Sequence, residues 1–170
     1  MGDVAEGAAE TLVDPGEEIC RLCFSALIPV FRSEGYPNQI DPDTGLLRLE
    51  ELAWDDVKTR GFSVQRRQLY SHAEAVAEAQ SRDSKKSQQK GCDVRYQLAG
   101  VLIALVKNIS AIVADDGEPV FRVLATPLKD LPGHAEIRVL GHITTKQFLK
   151  YRPNLRDALG SMRVPEAIDA

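Results

Sequence analysis

The segment that most constrains the fold is residues 94–106, with the sequence VRYQLAGVLIALV. Its apolar part, residues 98–106, is about nine residues long, whereas a membrane-spanning helix needs roughly 20. The segment is rich in aliphatic residues and lacks polar alternation, which is typical of a strand buried on both faces. A short buried helix has the same hydropathy and stays open as the alternative. In either case, other layers of structure must cover this segment.

More extended chain is expected after this segment. Residues 109–126 indicate two strands joined at Asp116-Gly117, because this dipeptide is favoured in tight hairpin turns. Residues 134–143 alternate and predict a further strand. Thr144 begins a capping pattern for a helix, and Pro153 is expected to start a last short helix.

The first part of the chain has mainly helical signals. Residues 14–30 predict a helix, since Asp14 can cap it and Pro15 suits its first turn. Residues 62–70 predict a short strand, and residues 71–91 predict a polar helix that begins at a capping box. The predicted fold class is α+β, with N-terminal helices, a small mostly antiparallel sheet and C-terminal helices.

The expected domain organisation is one globular domain over residues 14–163. Residues 1–13 are small, acidic and unpatterned, and are expected to form a flexible acidic tail. Residues 164–170 are expected to form a second flexible tail.

The net charge and the cysteine content limit the expected partners and the expected cellular compartment. The chain has 21 Lys and Arg against 25 Asp and Glu, a net charge of -4, which argues against general affinity for nucleic acid. Nucleic-acid binding through a local basic patch at Arg60, Arg66, Arg67 and residues 82–90 stays open as a third alternative. Three cysteines without a secretory signal indicate the cytoplasm, and no segment predicts a membrane span.

Cys20 and Cys23 have the spacing of a C-x-x-C motif. A structural zinc site needs four ligands, and the remaining cysteine and three histidines do not complete a set with suitable spacing. The two cysteines are therefore interpreted as small core residues, and no metal site is predicted.

His134 and Glu136 are the candidate catalytic residues. In the predicted strand, positions i and i+2 lie on the same face, about 6–7 Å apart. A carboxylate beside an imidazole suits proton transfer near neutral pH. The alternative is an ordinary polar face, because Ala135, Ile137 and Val139 alternate with these residues and are expected in the core.

The segment GFSVQRR at residues 61–67 is the second candidate site. Gly61 permits a tight turn, Ser63 offers a hydroxyl group, and Arg66 offers bidentate contacts to an anion. A strand entrance with exposed arginines explains the same residues without a function.

Three windows, ICRLCFSALIP, GFSVQRRQLY and PGHAEIRVLG, resemble a group of small uncharacterised bacterial proteins that occur in defence- or toxin-associated neighbourhoods. The resemblance implies a bacterial origin and no particular reaction. Cys20 departs from the pattern, which has an apolar residue there.

The order Arg21, Ser63, Glu136 also resembles that of the ADP-ribosyltransferases, which use NAD. This resemblance implies that Arg21 and Ser63 would hold NAD and that Glu136 would stabilise a sugar cation. The chain departs from that family in having Arg21 on a predicted helix and in lacking an aromatic-rich nicotinamide segment.

Two functional hypotheses follow. The first is a non-catalytic binding or scaffold subunit of a bacterial assembly, with a defence system as one candidate, that has a protein partner and no cofactor. The alternative is a small enzyme, transferase-like or hydrolytic, acting on NAD or a nucleotide. It would use His134 and Glu136, with Arg21, Ser63 and Arg66 as an anion clamp.

Overall fold

The structure is a computed structural model, and it describes residues 10–26, 40–49, 56–58, 61–90 and 96–170. The strands are β1 (Thr11–Leu12), β2 (Glu18–Ala26), β3 (Phe62–Arg66), β4 (Tyr96–Leu105), β5 (Phe121–Ala125) and β6 (His134–Val139). The helices are α1 (His72–Lys90), α2 (Val106–Ser110) and α3 (Thr145–Leu159), with short 3-10 helices at Arg67–Leu69 and Pro165–Ile168. The fold is therefore mixed α+β.

The six strands form one antiparallel sheet in the order β1-β5-β6-β3-β2-β4. The pairing of β2 with β4 extends from Glu18 opposite Leu105 to Ala26 opposite Tyr96, with a register shift between Cys23 and Phe24. Short β1 forms one edge of the sheet.

A hydrophobic cluster lies on each face of the sheet. The face that carries Val64, Ala135 and Ile137 is named the inner face, and Phe148 and Leu155 of α3 pack against it. The opposite face is named the outer face. On the outer face α1 covers β2 and β4, and its contacts form the second cluster. That cluster consists of Cys20, Leu22, Phe24, Tyr70, Ala75, Ala79, Val101, Ile103 and Ile168.

Strand β4 confirms the prediction of a strand buried on both faces. Leu102 and Ala104 belong to the inner cluster, whereas Val101 and Ile103 belong to the outer one. Its apolar run has no polar alternation because both faces of the strand are covered.

The predicted helix over residues 14–30 is wrong where the structure describes it, because Glu18–Ala26 form β2. The capping signals form a turn instead, in which Asp14 accepts a hydrogen bond from the backbone of Gly16 at 2.7 Å. Ile19 and Cys23 share a face, as the predicted helix also required. The strand differs in that Cys20, Leu22 and Phe24 are buried on its other face. Burial on both faces across a nine-residue pairing with β4 outweighs the local helical signals.

The expected hairpin at Asp116-Gly117 is only partly present. Residues 106–110 are helical, a single bridge joins Val113 to Pro119, and only Phe121–Ala125 form a strand. Gly117 occupies the turn with a φ of 83°. The position of the turn was predicted correctly, but only one of the two predicted strands is present.

The helix signals later in the chain were more reliable. Both capping boxes are present, at Ser71 with Glu74 and at Thr144 with Gln147. Pro153 lies inside α3, so one helix replaces the expected two. None of the helices in the described ranges combines the length and apolar character needed to cross a bilayer.

Both expected tails differ from the prediction where they are described. Val13 is buried, and Thr11–Leu12 pair with β5. At the other end, Ile168 is buried in the outer cluster. Arg67 donates hydrogen bonds to the carbonyl oxygens of Ala167, Ile168 and Ala170. Residues 1–9 lie outside the described residues.

Candidate functional site

His134 and Glu136 lie on the outer face of β6, as the alternation of the strand predicts. Ala135 and Ile137 lie on the inner face and are fully buried. His134 pairs with Gln65 of β3, and Glu136 pairs with Ser63. The outer face of β3 and β6 therefore brings together the hydroxyl, imidazole and carboxylate groups of the two candidate segments.

His134 is buried, with 8% of its surface exposed, and both ring nitrogens have partners. Its Nδ1 lies 2.9 Å from the carbonyl oxygen of Thr126 and 2.9 Å from the hydroxyl group of the same residue. Its Nε2 lies 3.4 Å from Oγ of Ser63. The ring is thus held in one orientation between β5 and β3.

Glu136 forms an ion pair rather than a contact with the imidazole. Oε2 of Glu136 accepts hydrogen bonds from Nε and Nη2 of Arg138 at 2.8 and 2.6 Å. Arg138 also pairs with Glu10 at 2.9 Å. A Cβ at Gly61 would lie 2.5 Å from Oε2 of Glu136, and Gly61 has a φ of 91°. Gly61 is needed both for its turn and for the space that Glu136 occupies.

The predicted anion clamp is divided between the two faces of the sheet. Arg21 pairs with Leu102, an inner-face residue, and its guanidinium lies 4.3 Å from the centre of the Phe62 ring. Arg66 pairs with Ile19, also on the inner face. Its Nε and Nη2 bind the two oxygens of Glu17 at 2.9 and 2.7 Å. Of the three clamp residues, only Ser63 lies on the face of His134.

Three residues near this site were not predicted from the sequence: Thr126, Arg122 and Arg138. Arg138 could have been predicted, because it lies four positions after His134 in the same strand and therefore on the same face. Thr126 and Arg122 reach the site through the pairing of β5 with β6, in which Arg122 lies directly opposite Arg138. The local pattern of either strand alone does not give that register.

We name the group formed by Ser63, Arg122, His134, Glu136 and Arg138 the polar patch. Its cations are not equally neutralised. Arg138 has two carboxylate partners, whereas Arg122 is exposed and has no hydrogen bond or ion pair with any residue that the structure describes. Ser63 is also exposed. The polar patch therefore presents a free guanidinium and a hydroxyl group to solvent.

Cys20 and Cys23 lie on opposite faces of β2, in the outer and the inner cluster. Burial raises the pKa of the Cys20 thiol to about 12 and that of Cys23 to about 11. The interpretation of the motif as core residues agrees with this placement. Within the described ranges, no group of three or more His, Cys, Asp or Glu side chains converges on a point where a metal ion would fit.

Comparison with known proteins adds no relative: the chain matches no protein-family model, and neither the curated proteins nor the solved structures gave a significant match.

Proposed function

We propose that the protein is a binding protein and that the polar patch holds a small ligand with a carboxylate or phosphate group. The observation that carries this proposal is the exposed guanidinium of Arg122, which has no hydrogen bond or ion pair with any described residue. Arg138, directly opposite on β6, already has two carboxylate partners. A ligand anion would supply the partner that Arg122 lacks.

The ligand group follows from the chemistry of the free side chain. Arg122 is exposed and unpaired among the described residues, and a guanidinium presents a planar fork that matches carboxylate and phosphate oxygens. Ser63, on the same face, adds a hydroxyl group that can donate to or accept from the ligand.

The test is isothermal titration calorimetry at constant ionic strength. The protein is titrated in turn with inorganic phosphate, AMP, NAD and a dicarboxylate. We expect at least one of these anions to bind and the affinity to fall about tenfold or more in Arg122→Gln, the loss of a charge-assisted pair. Arg163→Gln is the matched control. Arg163 is an exposed arginine outside the polar patch, and its backbone holds the opposite edge of the sheet.

Two outcomes would contradict the proposal. One is the absence of binding by all four anions at millimolar concentration. The other is an equal loss of affinity in Arg122→Gln and Arg163→Gln, which would indicate general screening of charge rather than a site.

NAD and AMP are included because the nucleotide hypothesis remains a proposal. Its clamp receives no support from the arrangement of Arg21 and Arg66, which lie on the inner face. A nucleotide that binds at the polar patch would have to use Arg122 instead.

A protein-binding subunit is the second candidate, as the first sequence hypothesis proposed. Leu12 favours it, because this large apolar side chain is 71% exposed on the short edge strand β1. The titration separates the two candidates. A surface centred on Leu12 predicts no response to small anions, whether or not Arg122 is present.

A further inference from the structure

The binding proposal uses the hydroxyl group of Ser63 only as a ligand contact, and it does not use the imidazole of His134 beside it. The two residues lie on adjacent strands, and Nε2 of His134 lies 3.4 Å from Oγ of Ser63. Ser63 is exposed, whereas His134 is buried beside it. An exposed hydroxyl group thus lies next to a buried imidazole.

The hydrogen bonds of His134 determine which nitrogen can act as a base. The carbonyl oxygen of Thr126 only accepts hydrogen bonds, and it lies 2.9 Å from Nδ1. The neutral ring therefore carries its proton on Nδ1, and the lone pair of Nε2 faces the hydroxyl group of Ser63. Within the described residues, Ser63 Oγ has His134 as its hydrogen-bond partner.

We propose that Ser63 is a nucleophile that His134 activates, and that the protein hydrolyses an ester. Three of the parts that such chemistry uses are present: an exposed nucleophile, a base within reach, and a third group that orients the base. A separation of 3.4 Å is longer than a strong hydrogen bond, but distances in unliganded sites are often longer than those in complexes.

The reaction balances with water as the other reactant. Oγ of Ser63 forms a bond to the ester carbonyl carbon while its proton passes to Nε2 of His134. The bond from that carbon to the alkoxide breaks, and the alkoxide leaves with the proton from Nε2. Water then attacks the acyl-serine and gives a proton to Nε2 of His134. As the Ser63–acyl bond breaks, the acid is released and His134 passes that proton to Oγ of Ser63.

The substrate class rests on the proposed function, since the anionic group of the ester would bind Arg122. The rate is expected to be modest. The group that orients His134 is the neutral carbonyl group of Thr126. The carboxylate of Glu136 forms its ion pair with Arg138 instead. A carboxylate in that role would stabilise the imidazolium more strongly. Labelling of the nucleophile is therefore a more sensitive readout than turnover.

The test uses a neutral fluorophosphonate, which loses fluoride when a serine oxygen bonds to its phosphorus. We expect labelling of Ser63, located by peptide mass spectrometry, and no labelling of Ser161, which is exposed and has the carbonyl oxygen of Thr44 as its partner. His134→Gln should lower the rate about 100-fold or more. His142→Gln, which removes an exposed histidine, should leave the rate unchanged.

A second measurement covers the case in which His134→Gln does not fold. The background is Cys92→Ser, which removes the third cysteine of the chain and leaves only the buried Cys20 and Cys23. In it, Ser63→Cys should react with iodoacetamide at least tenfold faster than Ser161→Cys, because a neighbouring imidazole favours the thiolate. Equal rates at the two positions, or equal labelling of Ser63 and Ser161 by the fluorophosphonate, would overturn the proposal.

The two proposals fail separately. The neutral probe does not depend on an anion site, and calorimetry with phosphate does not depend on a nucleophile. Labelling of Ser63 without anion binding would contradict only the binding proposal. Anion binding without labelling would contradict only the catalytic one.

Discussion

At the scale of single residues, the face of the sheet on which a side chain lies decides its chemistry. Cys20 and Cys23 are only three positions apart, but they lie in different clusters, so they do not form a dithiol site. Burial keeps both thiols protonated by raising their pKa values to about 12 and about 11. Both side chains act as small apolar core residues.

The raised thiol pKa values predict a loss of stability in alkali. An unfolded cysteine titrates near pH 9.0, whereas the folded thiols titrate at about 12 and 11. Above pH 9.0 the unfolded state therefore binds fewer protons, so the free energy of unfolding falls as the pH rises toward 11. Below pH 9.0 this contribution is fully present. Urea unfolding in reductant should show this decline.

The slope attributable to each thiol is up to about 1.4 kcal/mol per pH unit. Cys20→Ala and Cys23→Ala should each make the decline less steep. If both variants keep the slope of the natural chain, the decline has another origin and the burial argument is wrong.

At the scale of elements, the chain near its last helix completes the sheet edge at β4. Val101 and Arg163 exchange two backbone hydrogen bonds of 2.9 and 2.8 Å. Gly100 allows this approach, because a Cβ there would lie 2.6 Å from the carbonyl oxygen of Arg163 and 2.5 Å from Cγ of Met162. The middle of the long apolar strand β4 is thus covered at Val101, on an edge where an unpaired strand invites aggregation.

Gly100→Ala is expected to destabilise the protein by about 1–3 kcal/mol, because a backbone oxygen cannot yield as a flexible side chain does. Gly141→Ala is the matched control, since no atom lies within 4 Å of its added Cβ. Urea unfolding measures both. A change in Gly100→Ala no larger than that in Gly141→Ala would show that residues 162–163 do not pack against β4.

At the scale of the whole molecule, the sheet joins two hydrophobic clusters into one structure. Strands β2 and β4 contribute side chains to both clusters, so neither cluster can separate from the other while these strands stay paired. The half of the outer face that α1 does not cover carries the polar patch. The same sheet therefore supports both cores and presents the candidate site.

This arrangement predicts one cooperative unfolding transition. Leu155→Ala empties part of the inner cluster and Ile168→Ala part of the outer one, and each should cost about 2–5 kcal/mol. In both variants, far-UV and near-UV circular dichroism should give the same midpoint in urea. A second transition in Ile168→Ala alone would mean that the outer cluster unfolds by itself.

Much of the local structure was predictable from short-range signals. The capping boxes at Ser71 and Thr144 begin α1 and α3 where expected, because a cap acts within one turn of chain. The alternation in β6 placed His134 and Glu136 on one face, because a strand has a period of two. The prediction of a first helix was wrong because pairing with a strand about 80 residues away in the chain decided the structure of β2.

The sequence by itself therefore determined what depends on neighbours along the chain: the mixture of helices and strands, the burial of the segment that forms β4, the helix caps and the shared face of His134 and Glu136. Only the tertiary structure decided which strands are adjacent. That register sets Thr126 and Ser63 against His134 and Arg122 against Arg138, while it places Arg21 and Arg66 on the other face. Strand pairing joins residues far apart in the chain through backbone hydrogen bonds that nearly every residue type can form, so the pattern within one strand does not say which strand lies beside it.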